Sequence, residues 1–163
     1  MKNTRYSIQD EYYTPKILVE PILQYIPENS TIWCPCDTED SEFVITFREH
    51  GHKVIHSHIW ENQDFFHYEP DYYDYIITNI PFSRKIDFLE RLYNLNKPFA
   101  ILLNLQCLNH QNVSSFFLNR SLELLIVDKK VSFNGNTAGF NTSYFCNGFL
   151  PQKLIFCHLE HNN

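Results

Sequence analysis

The stretch from residue 74 to residue 85 constrains the fold most, because a short apolar run ends there abruptly in a polar turn. Residues 75–78 predict a buried strand, and residues 86–95 predict the helix that follows it. The junction between them lies at the carboxyl end of a strand, which is where open α/β sheets bind their ligands. The stretch therefore predicts an α/β fold with a functional site at this junction.

Four residues form the junction: Asn79, Ile80, Pro81 and Phe82. Ile80 precedes a proline, which pushes its backbone toward the extended region and presents its carbonyl beside the Asn79 amide. Two adjacent acceptors can hold the two hydrogens of an exocyclic amine, and a nearby aromatic ring can stack on the base that carries the amine. An ordinary strand-to-helix turn built with Asn and Pro would use the same residues.

This tetrapeptide resembles the Asn-Pro-Pro-Phe catalytic motif of amino-methylating, S-adenosylmethionine-dependent methyltransferases. From about Tyr12 onward the chain looks most like small phage-type relatives of the EcoRI-like adenine-specific (N6) DNA methyltransferases. The resemblance implies a single-domain Rossmann-like methyltransferase fold over residues 1–163, α/β, with a mostly parallel central sheet and an antiparallel C-terminal strand pair. It also implies methyl transfer from S-adenosylmethionine to the N6 amine of adenine in nucleic acid, with the tetrapeptide as the catalytic residues.

The size and charge of the chain narrow the possible functions. At 163 residues it fits one domain, and its 16% aromatic content predicts a packed globular protein. The formal charge of -6 gives the whole molecule no electrostatic reason to bind nucleic acid, so such contact requires a local basic patch or a partner protein. Because the sequence has no signal peptide and no apolar run of the ~20 residues that span a bilayer, we expect a cytoplasmic protein without membrane contact, in the host cytoplasm if it is phage-encoded.

The cysteines and histidines do not predict a metal site. Five cysteines without a secretory signal favour reduced thiols over a disulfide framework. Cys34 and Cys36 form a C-x-C pair without a second paired motif, which is a poor zinc signal. His56 and His58 share a face only if their strand is regular, and hydrogen-bonded histidines are the expected alternative.

The first of three segments that resemble the family's cofactor-binding motifs is the start of a predicted helix. Thr14 would be its N-cap and Pro15 its first residue. Together with Tyr13, they resemble the segment that holds the carboxylate of the cofactor's methionine half. A helix N-terminus would suit that anion, although a helix start without a ligand would have the same sequence.

The second segment is the loop after the first predicted strand. Pro35 and Cys36 match the corresponding residues of the family's cofactor loop. The resemblance implies that Asp37 accepts a hydrogen bond from the cofactor's ammonium group. The loop lacks the glycines that let a backbone approach a ligand closely, and Cys34 replaces the leading acidic residue. Carboxylates at the start of the helix predicted over residues 39–50 would also serve as caps.

The third segment contains Asp64 and Phe65. It resembles the motif in which an acidic residue accepts from the cofactor's adenine amine and an aromatic residue packs on the ring. A helix cap followed by core aromatics would give the same pair. The second predicted strand, residues 53–59, carries Ser57-His58 where the family has an acidic residue that binds the ribose, so this position lacks the family's ribose-binding carboxylate.

Basic residues are expected near the tetrapeptide. The strand predicted over residues 122–128 ends before Lys129 and Lys130, which would share an edge with Arg84 and Lys85 if the strands are parallel. Four of the 13 basic residues would then form a phosphate-facing patch. The resemblance to DNA methyltransferases favours DNA over RNA as the target. Solvated surface charges would give the same pattern.

The remaining segments complete the predicted fold. Residues 1–12 are polar and predict an irregular segment. Residues 133–141 contain two of the four glycines and predict a loop that carries target contacts. Residues 142–146 and 154–158 predict the closing antiparallel pair.

A second functional hypothesis follows from the altered cofactor positions. The first loop has no glycine, and acidic residues are missing at Cys34 and at Ser57-His58. A catalytically inactive methyltransferase-fold phage protein could act as a binding or inhibitory module against a host nucleic-acid enzyme or defence system. The retained tetrapeptide favours the enzyme, because a binding surface alone would not require it.

Overall fold

A computed structural model of the protein describes residues 13–133 and 139–160. Within these residues, seven strands form one sheet and four α-helices cover its faces. The strands are β1 (Thr31–Cys34), β2 (Lys53–His56), β3 (Tyr75–Asn79), β4 (Phe99–Asn104), β5 (Glu123–Val127), β6 (Thr142–Asn147) and β7 (Leu154–Cys157). The α-helices are α1 (Lys16–Val19), α2 (Glu42–Glu49), α3 (Lys85–Leu95) and α4 (Gln111–Phe117).

The sheet is mostly parallel, with the strand order β2-β1-β3-β4-β6-β5-β7. The first four strands in this order pair in parallel, and β5 pairs in parallel with β7. Only β6 among the described strands is antiparallel to its neighbours, β4 and β5. The predicted fold class is therefore confirmed. The last two strands run in opposite directions, as predicted, but β5 lies between them.

Apolar side chains pack against both faces of the sheet. Phe43 and Phe47 of α2 belong to the core cluster on one face, and Phe88 and Leu92 of α3 belong to the cluster on the other. β4 is buried at its first five positions, as its unbroken apolar run predicts. Each fully buried side chain of this size contributes about 1.5–3 kcal/mol, so the two clusters hold α2 and α3 against the sheet.

The first helix differs from its prediction. Pro15, not Thr14, is the N-cap, and Lys16 is the first helical residue. The α-helix ends at Val19 and continues as a 3₁₀-helix, because Pro21 has no N–H to donate to the carbonyl four residues earlier. A four-residue helix has a small dipole, and Pro15 has no N–H, so of Thr14 and Pro15 only Thr14 could donate to an anion, through its N–H and its hydroxyl.

The second strand is also shorter than predicted. It was predicted over residues 53–59 but ends at His56. The His58 ring accepts a hydrogen bond from the Trp60 N–H at 3.2 Å, and this cap starts a 3₁₀-helix that turns the chain away from the sheet. Similarly, α2 begins at Glu42 rather than near residue 39, because residues 38–41 form a turn closed by a backbone hydrogen bond of 3.1 Å.

The predicted irregular segment, residues 1–12, lies outside the described residues. So does most of the predicted loop over residues 133–141. The ends of that loop are joined, because Val131 and Phe140 exchange backbone hydrogen bonds of 3.1 and 3.0 Å. No helix in the described part of the chain is long and apolar enough to cross a membrane.

Asp74 joins the start of β3 to the start of β1. Its Oδ2 accepts from the Thr31 N–H at 2.8 Å, and its Oδ1 accepts from the Tyr72 hydroxyl at 2.7 Å. Its own N–H donates to the Thr31 carbonyl at 2.8 Å. The Thr31 N–H and the Tyr72 hydroxyl favour the charged carboxylate, which lowers the pKa of Asp74 from its ordinary value of 3.8.

We expect Asp74→Asn to weaken the acid sensitivity of folding. Because the folded-state pKa is lowered, the carboxylate's contribution to stability is present above 3.8 and is lost as the pH falls through the folded-state pKa. Urea unfolding at about pH 7 and about pH 3 measures this effect, and the midpoint should fall further in the unchanged protein than in the variant. Equal falls in the two proteins would contradict the assignment.

Candidate active site

A cleft of about 220 Å³ opens where β1, β2 and β3 end. The carboxyl ends of parallel strands meet at one edge of a sheet, so the segments that follow them surround a common space. The cleft brings together most of the predicted site residues: Tyr13, Thr14, Pro35, Cys36, Asp37, Asp64, Phe65, Asn79, Ile80 and Pro81. Pro15 and Phe82 do not line it.

Asn79 and Ile80 present two hydrogen-bond acceptors at one end of this cleft. Asn79 is the last residue of β3 and lies opposite Leu102 of β4 in the parallel register. Among the described residues, the Asn79 carboxamide and the Ile80 carbonyl have no hydrogen-bond partner. The Ile80 side chain is only 5% exposed and packs in the core, which anchors the turn. Both acceptors are therefore available to a ligand.

Phe82 lies just beyond the cleft, at the start of the 3₁₀-helix that leads into α3. Its side chain is 42% exposed, and the Lys85 ammonium lies 4.3 Å from the centre of its ring. Arg84 differs from Lys85, because its guanidinium lies 4.2 Å from the Phe66 ring centre and pairs with Asp87 at 3.2 Å. Of the two predicted basic residues in this segment, Arg84 is therefore already bound within the protein.

Lys129 and Lys130 lie at the same sheet edge but in a second cleft. Two strands separate β3 from β5, which places the lysines three strand spacings, about 14 Å, from the end of β3. Leu105, Gln106 and Asn141 also line this second cleft. The Lys129 ammonium donates to the Leu159 carbonyl, while Lys130 is exposed. The four predicted basic residues share an edge without forming one patch.

Asp37 is engaged by the protein itself. Its side chain is 8% exposed, and its Oδ2 accepts from the Thr78 hydroxyl at 2.7 Å. Its Oδ1 accepts from the Ser41 hydroxyl at 2.8 Å, and its N–H donates to the Ser57 carbonyl at 3.2 Å. Asp37 therefore connects the loop after β1 to β3, to the start of α2 and to the end of β2. Thr78 was missed because nothing in a strand sequence indicates its distant partner.

The cleft is acidic. Asp37, Asp40, Glu42 and Asp64 line it, and no lysine or arginine occurs among its described lining residues. Cys34, which stands where the family has an acidic residue, adds no charge because burial raises the pKa of its thiol well above the ordinary value. Such a cleft attracts a cationic ligand and repels phosphate groups.

Asp64 and Phe65 have different surroundings. One Asp64 carboxylate oxygen accepts from the Phe66 N–H at 3.0 Å, and the other makes no hydrogen bond within the described residues. Phe65 is 2% exposed and stacks on Phe88 with ring centres 4.9 Å apart and an interplanar angle of 6°. Asp64 thus retains an acceptor for a ligand, whereas most of the Phe65 ring packs in the core.

Trp60 and His58 line the cleft near the position where the family has its ribose-binding acid. Trp60 is 63% exposed, and its ring centre lies 4.4 Å from that of His58. Ser57 is buried, and its hydroxyl accepts from the Trp33 indole N–H at 2.9 Å. An exposed aromatic surface therefore replaces a carboxylate here. No signal in the sequence distinguishes Trp60 from a core tryptophan.

The histidines near this cleft have ordinary protein partners. His56 Nε2 lies 2.6 Å from a Glu39 carboxylate oxygen, whereas its buried Nδ1 lies 3.5 Å from a Glu61 oxygen and makes no hydrogen bond within the described residues. No group of three or more His, Cys, Asp or Glu side chains in residues 13–133 and 139–160 is arranged to hold a metal ion.

The sheet and the edge at which the cleft opens define a Rossmann-like methyltransferase fold. A similar solved structure is the methyltransferase subunit of a type I restriction-modification system from Streptococcus thermophilus, with a TM-score of 0.58 and 12% identity over 91% of this chain and 47% of that chain. The present chain thus spans about half the length of that protein. A release factor-specific protein-(glutamine-N5) methyltransferase from Alicyclobacillus acidocaldarius gives a TM-score of 0.40 and 12% identity over 80% of this chain and 90% of that chain. No protein-family model and no curated protein matches the sequence.

Proposed function

We propose that this protein binds S-adenosylmethionine in the cleft and transfers its methyl group to the N6 amine of adenine in nucleic acid. The observation that carries the proposal is an acidic cleft, with no basic residue among its described lining residues, that contains the Asn79 and Ile80 acceptors, neither of which has a hydrogen-bond partner in the described part of the chain. The cofactor carries a sulfonium and an ammonium group, both of which are stabilised by nearby carboxylates. Dinucleotide cofactors carry phosphates, which the same carboxylates would repel.

Several lining residues fit parts of this cofactor. The exposed Trp60 ring offers a surface for the adenine, and the free Asp64 oxygen offers an acceptor for its amine. Asp40 and Glu42 offer carboxylates for the ammonium group. Asp37 would act on the ammonium mainly through its charge, because both of its carboxylate oxygens already accept hydrogen bonds from protein hydroxyls.

The tetrapeptide supplies placement rather than acid–base chemistry. When bound, S-adenosylmethionine supplies an electrophilic methyl group. The Asn79 side-chain oxygen and the Ile80 carbonyl would accept the two hydrogens of the adenine amine and fix the direction of its nitrogen lone pair. Phe82 would stack on the base outside the cleft. Neither acceptor titrates near neutral pH, so orientation is the main expected catalytic device.

The binding-module hypothesis rests on a different observation. Asp37 is occupied by protein hydroxyls, Cys34 is neutral, and no carboxylate stands at Ser57-His58. A protein with these changes could keep the fold, lose the cofactor and bind a host nucleic-acid enzyme or defence protein. Cofactor binding separates the two hypotheses.

We expect calorimetry to detect S-adenosylmethionine binding and no binding of ATP, because the carboxylates repel a polyphosphate. Asp64→Ala should weaken S-adenosylmethionine binding by about 10-fold, since a hydrogen bond to a charged group contributes about 1.5–3 kcal/mol. Asp71→Ala, which removes an exposed carboxylate outside the cleft lining, is the matched control and should leave binding unchanged. An absence of binding up to about 1 mM cofactor would leave only the binding module.

A further inference from the structure

We infer that the substrate is a single-stranded polynucleotide, held mainly through an unpaired base and not through its phosphates. This inference rests on the proposed function for the adenine site, and it adds the class of substrate. It follows from how the charges and the exposed aromatic rings are distributed around the tetrapeptide.

The cations at this sheet edge are poorly suited to a duplex. Arg84 is held by Asp87 and by the Phe66 ring, and Lys129 is held by the Leu159 carbonyl. Lys85 and Lys130 remain for phosphate contacts, and the acidic cleft beside the tetrapeptide opposes them. The formal charge of -6 adds a general repulsion. Proteins that bind duplexes tightly neutralise many more phosphates than two.

The aromatic residues favour an unpaired base. Phe82 is 42% exposed and lies three positions after Asn79 in the chain. The Lys85 ammonium lies over one face of this ring, so a base would stack on the opposite face. Stacking on an aromatic ring is tolerant of sequence and requires the base to be outside a helix.

Extraction of a base from a duplex requires free energy that phosphate contacts usually supply. With two of the four predicted basic residues at this sheet edge available in the described part of the chain, the phosphate contacts seen here supply little such free energy. A base that is already unpaired reaches the Asn79 and Ile80 acceptors without that cost. Single strands are therefore the preferred substrate.

The test is fluorescence anisotropy with a labelled 12-nucleotide adenine-containing single-stranded DNA and with a hairpin duplex of the same sequence. We expect the duplex to bind at least about 30-fold more weakly, because it must lose a stacked and paired base. Raising the salt from about 50 to about 200 mM should weaken single-strand binding by less than about 10-fold, as expected for two phosphate contacts. Phe82→Ala should weaken it by about 10-fold or more.

Tyr72→Ala is the matched control. Tyr72 is also an exposed aromatic residue (63%), but it lies beside the start of β3, at the end of the strands opposite to the cleft. It should leave single-strand binding unchanged. Equal or tighter binding of the duplex, or unchanged binding by Phe82→Ala, would overturn the inference. The measurement requires no cofactor and no catalysis. Single-strand binding without methyl transfer would therefore support the inference and refute the proposed function, and methyl transfer to a preferred duplex would do the reverse.

Discussion

Replacement of Asn79 with alanine is expected to lower methyl transfer by at least about 100-fold, because loss of one positioning contact at the reacting atom removes the alignment on which the reaction depends. The Asn79 carboxamide has no partner among the described residues, so its removal breaks no internal hydrogen bond. Fold and cofactor affinity should therefore be preserved. Transfer of a tritiated methyl group to an adenine-containing oligonucleotide measures the rate, and calorimetry measures cofactor binding.

The chain offers a matched control at the next strand. Asn104 is the last residue of β4, as Asn79 is of β3, but its side-chain oxygen accepts from the Gln106 N–H at 3.0 Å. Asn104→Ala should reduce stability slightly and leave transfer almost unchanged. Asn79→Asp keeps an acceptor oxygen and should retain more transfer than Asn79→Ala. Equal transfer by Asn79→Ala and the unchanged protein would refute the assigned role.

The strand–turn–helix units were predictable because their signals are local. Short apolar runs, a pre-proline residue and the start of an amphipathic helix each depend on residues within one turn or strand. β3 and α3 accordingly begin and end within one residue of their predicted limits. The same local signals placed Asn79 and Ile80 at the sheet edge where the cleft opens.

The boundaries that were wrong depend on side-chain caps and on proline at particular positions. His58 ends the extended segment through its own ring nitrogen, and Pro21 converts the first helix to a 3₁₀-helix. The position of β5 in the strand order was also not predicted. Residues 142–147 and 154–157 look like neighbours in sequence, yet β5 takes the position between them, and pairing between distant segments has no local signature.

The roles of acidic residues in the cleft were the least predictable part of the site. Asp37 and Asp64 both follow strands or turns and both line the cleft. Only tertiary structure distinguishes them: Thr78, 41 positions away in the chain, donates to Asp37, whereas one Asp64 oxygen lacks a described partner. A sequence can show that a carboxylate is near a site, but its availability depends on donors that folding brings to it.

Replacement of Asp37 with alanine is therefore expected to destabilise the fold by about 2 kcal/mol or more, because two hydroxyls lose a charged acceptor and the Thr78 hydroxyl is left buried. Thr78 has no exposed surface, so its hydroxyl loses a buried, charged partner. The loop after β1 should also lose its side-chain hydrogen bonds to β3 and to the start of α2, whereas its backbone hydrogen bond to Ser57 is kept. Urea unfolding with equal m-values measures the change in stability.

Two further variants separate the effect of the hydrogen bonds to Asp37 from a general effect of charge. Asp40→Ala removes an exposed carboxylate from the same loop and should leave the urea midpoint almost unchanged. Thr78→Val keeps the shape of the side chain but removes the donor, so its effect should overlap with that of Asp37→Ala. The double variant should then lose less stability than the sum of the single variants, by about 0.5 kcal/mol or more. Strict additivity, or equal midpoints for Asp37→Ala and Asp40→Ala, would show that Asp37 does not hold the cleft together, and would return it to the set of candidate cofactor ligands.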